Sequence, residues 1–208
     1  MLNILGRDAI SRALTPVGTK LAAAGVSPNA ITVVGTVGAV AAAVGFFPRG
    51  GTWFLTGTLV ITAFVLMDMV DGAVARAAGR PTRFGGVLDS SCDRIADAAI
   101  FGAVAWYYAR RGERWMFLAA LLCLVLGALT SYIRARAEAA GLTATVGIAE
   151  RAERLIAVLA GTGLTGFGVP FVLAAALWLL VAASAITVWQ RFATVYRQSR
   201  DLEKSVLR

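Results

Sequence analysis

Histidine is absent from the 208 residues, cysteine occurs twice and proline five times, and only 15% of the residues are charged. Without an imidazole there is no zinc–histidine site, no Ser-His-Asp triad and no histidine acid–base chemistry. Any proton acceptor must be a carboxylate, lysine, tyrosine or thiolate. Cys92 and Cys123 lie in apolar, helix-like stretches and form no CxxC pair. They read as buried packing residues and argue against a disulfide-rich secreted scaffold. An ordinary soluble domain is about 25% charged and about 45–50% apolar. Scarce charge combined with 58% hydrophobic residues and a mean hydropathy of +0.73 argues against both a soluble globule and a disordered chain.

What is present is a series of long apolar stretches, near residues 30–48, 52–78, 86–109, 114–138, 151–167 and 169–192. At about 20 residues per membrane span, these are six candidate helices with short loops. Turn residues punctuate them: Ser27-Pro28-Asn29, Pro48-Arg49-Gly50-Gly51, Gly79-Arg80-Pro81 and Gly85-Gly86. In residues 1–29, Leu2, Ile4, Leu5, Ile10, Leu14 and Leu21 alternate irregularly with Arg7, Arg12 and Lys20, the pattern of an amphipathic helix lying at the interface. No long apolar core is followed there by a small-residue cleavage site, so no removable signal peptide is expected. The expected fold class is therefore an all-α integral membrane protein with six transmembrane helices plus an N-terminal amphipathic interfacial helix. Its organisation is a juxtamembrane segment over residues 1–29 and a membrane domain over residues 30–208.

The formal net charge is +8. No basic stripe with interleaved aromatics accompanies it, so nucleic acid is not an expected partner, and anionic membrane lipids and phosphate-bearing substrates are. Alternate sides of the six helices hold unequal numbers of Lys and Arg. One side carries Arg7, Arg12, Lys20, Arg76, Arg80, Arg83, Arg134, Arg136, Arg151, Arg154, Arg191, Arg197, Arg200, Lys204 and Arg208. The other carries Arg49, Arg110, Arg111 and Arg114, and Arg94 lies inside a helix pattern. This bias predicts a multi-pass protein of the cell membrane with both termini in the cytoplasm.

Against this apolar background, Asp68, Asp71, Asp89 and Asp93 stand within or at the ends of the second and third stretches. A carboxylate at mid-membrane costs about 2.5–3.5 kcal/mol on insertion scales, so the four need a shared counter-charge. Asp68, Asp71, Gly72, Ala75 and Arg76 fall on one helical face, and Asp89 and Asp93 are i, i+4 neighbours on the next helix. An antiparallel pair of helices joined by the short Gly79–Phe84 connection brings the two faces together. Oxygen ligands select hard cations, Mg²⁺ or Mn²⁺ with Ca²⁺ as another candidate. Four negative charges are balanced better by two divalent ions than by one. Two ions about 3.5–4 Å apart are also the arrangement that clamps a transferring phosphoryl group. Gly72 and Ala75 leave room for a phosphate or nucleotide to approach the backbone. The plainer reading, Asp–Arg packing contacts at a helix crossing, leaves too many acids without a counter-charge.

The run Asp68-Met-Val-Asp71-Gly72-Ala-Val-Ala75-Arg76, eight residues, Gly85, three residues, Asp89, three residues, Asp93 resembles the full signature of the CDP-alcohol phosphotransferases. The resemblance extends along essentially the whole chain, because that family has six membrane helices and an N-terminal interfacial helix. It implies transfer of a phosphatidyl group from CDP-diacylglycerol to an alcohol with release of CMP, and a homodimer. It further implies that Asp68, Asp71, Asp89 and Asp93 bind metal, and that Asp93 is the general base on the attacking hydroxyl. Gly72, Arg76 and Thr82 resemble nucleotide-contacting positions. The segment Pro28-Asn29-Ala30-Ile31-Thr32 resembles a second nucleotide contact; read locally it is also a helix start with Asn29 as N-cap.

The acceptor has to be read elsewhere. Arg134, Arg151, Arg154 and Arg191 lie at the ends of the fourth, fifth and sixth stretches, on the side of the aspartates. Arginine grips phosphate through planar, bidentate hydrogen bonds, so the acceptor is expected to be phosphorylated. Their plainer reading is the charge bias of the cytoplasmic side. The stretches Ser131-Tyr-Ile-Arg-Ala-Arg-Ala-Glu-Ala139 and Glu150-Arg-Ala-Glu-Arg-Leu155 resemble actinobacterial family members that use an inositol phosphate, 1D-myo-inositol 3-phosphate, as acceptor. Those members often carry lysine at the position of Arg134. The alternative acceptor is glycerol 3-phosphate. From a different class, an ion transporter would spread its acids across the bilayer depth on several helices, whereas here they cluster on two.

Overall fold

The computed structural model describes residues 16, 19–21, 23–77 and 82–206, without the side chains of residues 68–71, 73, 75–77, 205 and 206. No strand occurs among the described residues. Six long helices follow one another: α1 (Pro28–Phe46), α2 (Thr52–Ala77), α3 (Arg83–Arg110), α4 (Arg114–Ala139), α5 (Arg151–Gly166) and α6 (Val172–Val206), with a single 3-10 turn at Phe47–Arg49 after α1. Among the described residues three segments are long and apolar enough to cross a membrane, Pro28–Arg49, Arg114–Ala139 and Val172–Lys204, and Thr52–Met67 is an apolar stretch of α2. Of the expected interfacial helix, Pro16, Thr19, Lys20, Leu21 and Ala23 are helical, and its other positions up to residue 22 lie outside the described residues.

Two boundaries depart from expectation. The helix start at Asn29 is corrected: the N-cap is Ser27, extended at φ −72° and ψ 128°, and Pro28 opens the helix. Proline is suited to that position because its missing N–H would have no partner in the first turn and its φ is already helical. Asn29 therefore sits inside the first turn. The sixth apolar stretch, expected over 169–192, becomes a helix from Val172 to Val206. It starts after the Gly168-Val169-Pro170 turn, and residues 193–206 contain no glycine or proline to stop it.

The chain divides into two compact units, residues 1–47 with 56–100, and residues 48–55 with 101–208. In the first, the inside of α1 is small and the outside large. Gly35, Ala39, Ala42 and Ala43 are buried, while Val33, Val34, Val37 and Val44 are exposed. A Cβ on Gly38 would overlap the Phe64 ring, so this ring of α2 lies directly on the α1 backbone. Small residues at helix contacts with branched apolar residues facing outward is the partition of helices solvated by lipid. It is the reverse of a water-soluble bundle.

In the second unit α6 packs along both α4 and α5. Cys123 of α4, fully buried, donates its thiol to the carbonyl of Leu177 on α6 at 3.3 Å, and Leu173, Leu177 and Leu180 line the same core. Cys92, in the first unit, is also buried and free, so both cysteines are packing residues as expected. At the far end from the arginines of α5, Arg49 stacks over Trp53 at 5.4 Å and Arg111 over Tyr107 at 5.3 Å. Trp and Tyr are the rings enriched at membrane–water boundaries, and an arginine over the ring face is favourable.

Candidate active site

In the first unit, α3 begins at a capped turn. The Thr82 hydroxyl accepts a hydrogen bond from the Gly85 N–H at 2.9 Å, which satisfies one of the helix's orphan donors. A side chain on Gly85 would sit 3.0 Å from Thr82 Oγ1 and 3.3 Å from Asn29 Oδ1. Three positions singled out in the sequence, Asn29, Thr82 and Gly85, therefore come together, with two side-chain oxygens flanking a residue that has no side chain of its own. The rest of the α1 segment divides. Ala30 is exposed, whereas Ile31 and Thr32 are buried, and the Thr32 hydroxyl donates to the Pro28 carbonyl at 3.2 Å. Ile31 and Thr32 thus hold the first turn together, and Asn29 is the polar side chain that reaches Gly85.

Further along α3, Asp89 and Asp93 are one turn apart; Asp89 is exposed and Asp93 half-buried. The thiol between them, Cys92, is buried in the core. The donors this face offers are therefore carboxylate oxygens alone, a set that fits a hard divalent ion and not a soft one. Asp68 and Asp71 are helical positions of α2, three residues apart and so on one face. Their side chains, and that of Arg76, lie outside the described residues. Gly72 is half-buried on the same helix.

One acid on α3 escaped the sequence reading. Asp97 continues the stripe of Asp89 and Asp93 at i+8 and is buried, with Arg94 Nη2 3.5 Å from its Oδ2. The same Nη2 is 4.0 Å from Asp93 Oδ2. The repeat of aspartate every four residues was the available signal; what sets Asp97 apart is its burial, since Arg94 reaches both it and Asp93.

The second unit gathers two of the four candidate acceptor arginines. Arg154 of α5 is 1% exposed and Arg191 of α6 is 4% exposed. Arg154 Nη1 donates to Thr130 Oγ1 at 3.3 Å and to the Ala149 carbonyl at 3.1 Å. Arg191 Nε donates to the Val146 carbonyl at 2.9 Å, and its Nη1 to the Thr130 carbonyl. Gly127, one turn before Thr130 on α4, makes the space: a Cβ there would stand 3.0 Å from Arg154 Nε. Arg134, one turn after Thr130, is exposed and bonds Glu138 at 2.8 Å. Arg151, half-buried, opens α5. Thr130 and Gly127 carried no motif, and their role emerges only when α4, α5 and α6 are assembled. Two guanidinium groups are thus drawn to one threonine, and arginine is the side chain best suited to grip a phosphate.

Residues 25–192 match the family profile of CDP-alcohol phosphatidyltransferase. The phosphatidylinositol phosphate synthase of Mycobacterium marinum is 46% identical over 198 residues, covering 92% of this chain and 83% of that protein. Its namesake in Mycobacterium tuberculosis is 43% identical over 212 residues, covering 99% and 96%. The crystal structure of the M. tuberculosis synthase with CDP-DAG bound superposes with a TM-score of 0.84 at 44% identity, covering 89% of this chain and 94% of that one. The structure of that synthase in complex with manganese and citrate gives 0.83 at 44% identity, covering 88% of each.

Proposed function

This chain belongs to the CDP-alcohol phosphatidyltransferase family, and on that premise we propose that it transfers the phosphatidyl group of CDP-diacylglycerol to a hydroxyl of 1D-myo-inositol 3-phosphate. The products are a phosphatidylinositol phosphate and CMP, a step of phospholipid biosynthesis. The observation that carries this reading is the near-full-length identity with synthases of that name, joined to a buried pair of arginines suited to a phosphorylated acceptor.

The acceptor hydroxyl attacks the phosphatidyl phosphorus, the bond from that phosphorus to the bridging oxygen breaks, and CMP departs with the electron pair. Asp93 takes the hydroxyl proton. With no histidine in the chain, a carboxylate beside the phosphates is the available base. Asp68, Asp71, Asp89 and Asp93 would hold the divalent ions, two Mg²⁺ with Mn²⁺ as the other candidate. When bound, such ions neutralise the pyrophosphate and the charge that develops on the leaving group. Asn29 and Thr82, flanking Gly85, grip the cytidine nucleotide together with Gly72 and Arg76, and residues 30–32 support Asn29. Arg134, Arg151, Arg154 and Arg191 bind the acceptor's phosphate, with Arg154 and Arg191 at its centre.

The membrane arrangement follows from the same premise. Residues 1–29 form the interfacial segment and residues 30–208 a domain of six transmembrane helices, α1 to α6. The Lys/Arg bias supports a reading with both termini and the site in the cytoplasm. The family's assembly makes a homodimer the proposed state.

The test offers the detergent-purified protein CDP-diacylglycerol and Mg²⁺ with inositol phosphate, free inositol, glycerol 3-phosphate or serine, and measures CMP release. Release with inositol phosphate alone is expected. Equal or faster release with glycerol 3-phosphate overturns the choice of acceptor.

A further inference from the structure

Between α4 and α5, residues 142–149 have no regular secondary structure, yet they are fastened to α6 at three successive heights. Gln198 clasps Thr143: its Oε1 accepts from the Thr143 N–H at 2.9 Å, and its Nε2 donates to the Thr143 carbonyl at 2.7 Å. Arg191 donates to the Val146 carbonyl. Thr187 Oγ1 accepts from the N–H groups of both Ile148 (3.1 Å) and Ala149 (3.0 Å) while donating to the Ala183 carbonyl at 2.8 Å. From residue 198 to 187 the helix spans about 16 Å, and the six residues from 143 to 149 reach about 20 Å when extended. The segment therefore runs antiparallel along the helix with little slack.

Thr187 is fully buried, and it meets the segment where the backbone is least ordinary. Gly147 has φ +144°, a conformation that side-chain-bearing residues rarely adopt. A Cβ there would also overlap the Thr187 methyl group. The hydroxyl of Thr187 and the bareness of Gly147 thus fix the same stretch from two sides. Val146 and Ala149, which bracket Gly147 and Ile148, supply the carbonyls that receive Arg191 and Arg154.

We propose that Thr187 is a positioning residue for the acceptor: it seats residues 146–149 so that the carbonyls of Val146 and Ala149 aim the guanidinium groups of Arg191 and Arg154 at the acceptor's phosphate. This rests on the acceptor reading given above. Thr187 touches no substrate; it acts through two backbone amides, two carbonyls and two arginines.

Thr187→Val keeps the shape and removes the hydroxyl, leaving two amides without an acceptor; Thr187→Ser restores the hydroxyl. Two quantities are measured on the full-length protein in detergent: hydrogen exchange at the Ile148 and Ala149 amides, and KM for inositol phosphate and for CDP-diacylglycerol separately. In Thr187→Val the two amides should exchange faster and the acceptor KM should rise about tenfold, the cost of about one hydrogen bond's worth of misplacement. The CDP-diacylglycerol KM should stay within about twofold, and Thr187→Ser should recover the wild-type values. Gly147→Ala disturbs the segment from the other side and should show the same split, which covers the case of a Val variant that does not fold. Faster exchange with an unchanged acceptor KM, a parallel rise of both KM values, or no recovery in Thr187→Ser overturns the proposal. A wild-type protein that releases no CMP with inositol phosphate fails the acceptor reading itself, a result separate from a failed split in an active enzyme.

Discussion

Arg154 and Arg191 meet on Thr130, the first donating to its hydroxyl and the second to its carbonyl. Two helices thereby deliver their charge to a single residue of a third. Charge-assisted hydrogen bonds are worth about 1.5–3 kcal/mol each. Arg154→Ala should therefore raise KM for inositol phosphate by about 10- to 100-fold and leave KM for CDP-diacylglycerol nearly unchanged. Initial-rate measurements with each substrate varied in turn decide it; equal effects on both KM values would count against a phosphate pocket here.

At the other site the expectation is the opposite split. Gly85→Ala places a methyl group 3.0 Å from Thr82 Oγ1 and 3.3 Å from Asn29 Oδ1. Both neighbours are side-chain tips that can rotate aside, so the protein should fold. Displacing either costs about one hydrogen bond to the nucleotide, or about tenfold in KM for CDP-diacylglycerol, with the acceptor KM unaffected. A binding assay with CDP-diacylglycerol in detergent checks the loss directly.

Asp93→Asn removes the proton acceptor while preserving size and a metal-coordinating oxygen. General-base catalysis contributes about 10²- to 10⁴-fold, so turnover should fall by at least that range while CDP-diacylglycerol binding is largely retained. Single-turnover CMP release separates the two. Undiminished turnover would reject the base assignment.

The pair Arg94–Asp97 predicts a stability effect. Asp97 is buried and Arg94 partly exposed, 3.5 Å apart. Arg94→Met strips a buried carboxylate of its neighbour and should destabilise by about 1–3 kcal/mol, less than the 3–5 kcal/mol of a fully buried pair because solvent reaches the arginine. Arg94→Met with Asp97→Leu should recover most of that loss, because replacing a buried pair with apolar residues is often neutral. Thermal unfolding of the single and double variants in detergent measures both.

The apolar stretches located most helix ends to within a few residues because turn residues such as Ser27-Pro28 and Pro48 to Gly51 punctuate them; α6 is the exception, running fourteen residues past its apolar stretch to Val206. The aspartates were legible because a charge in an apolar run has no neutral explanation. Asp97 was missed although its signal was local, an aspartate repeating every four residues with Arg94 three positions away. The rest of what escaped was non-local: Thr130 and Gly127 are ordinary residues of an apolar helix until Arg154 arrives from α5. The role of segment 146–149 needed α6 in place, since its hydrogen bonds span 38 to 45 positions of the chain. The start of α1 was misplaced by two residues because Asn29 is the better capping side chain, whereas Pro28 has the better backbone for the first helical position.

The four aspartates as one divalent-metal site underlie the whole enzymatic reading, and counting bound Mn²⁺ by electron paramagnetic resonance, with CDP-diacylglycerol present, tests that most directly. Two ions per chain are expected for the wild type, with binding weakened at least about tenfold in Asp68→Asn, Asp71→Asn, Asp89→Asn and Asp93→Asn alike. Wild-type Mn²⁺ binding retained in all four variants would contradict it.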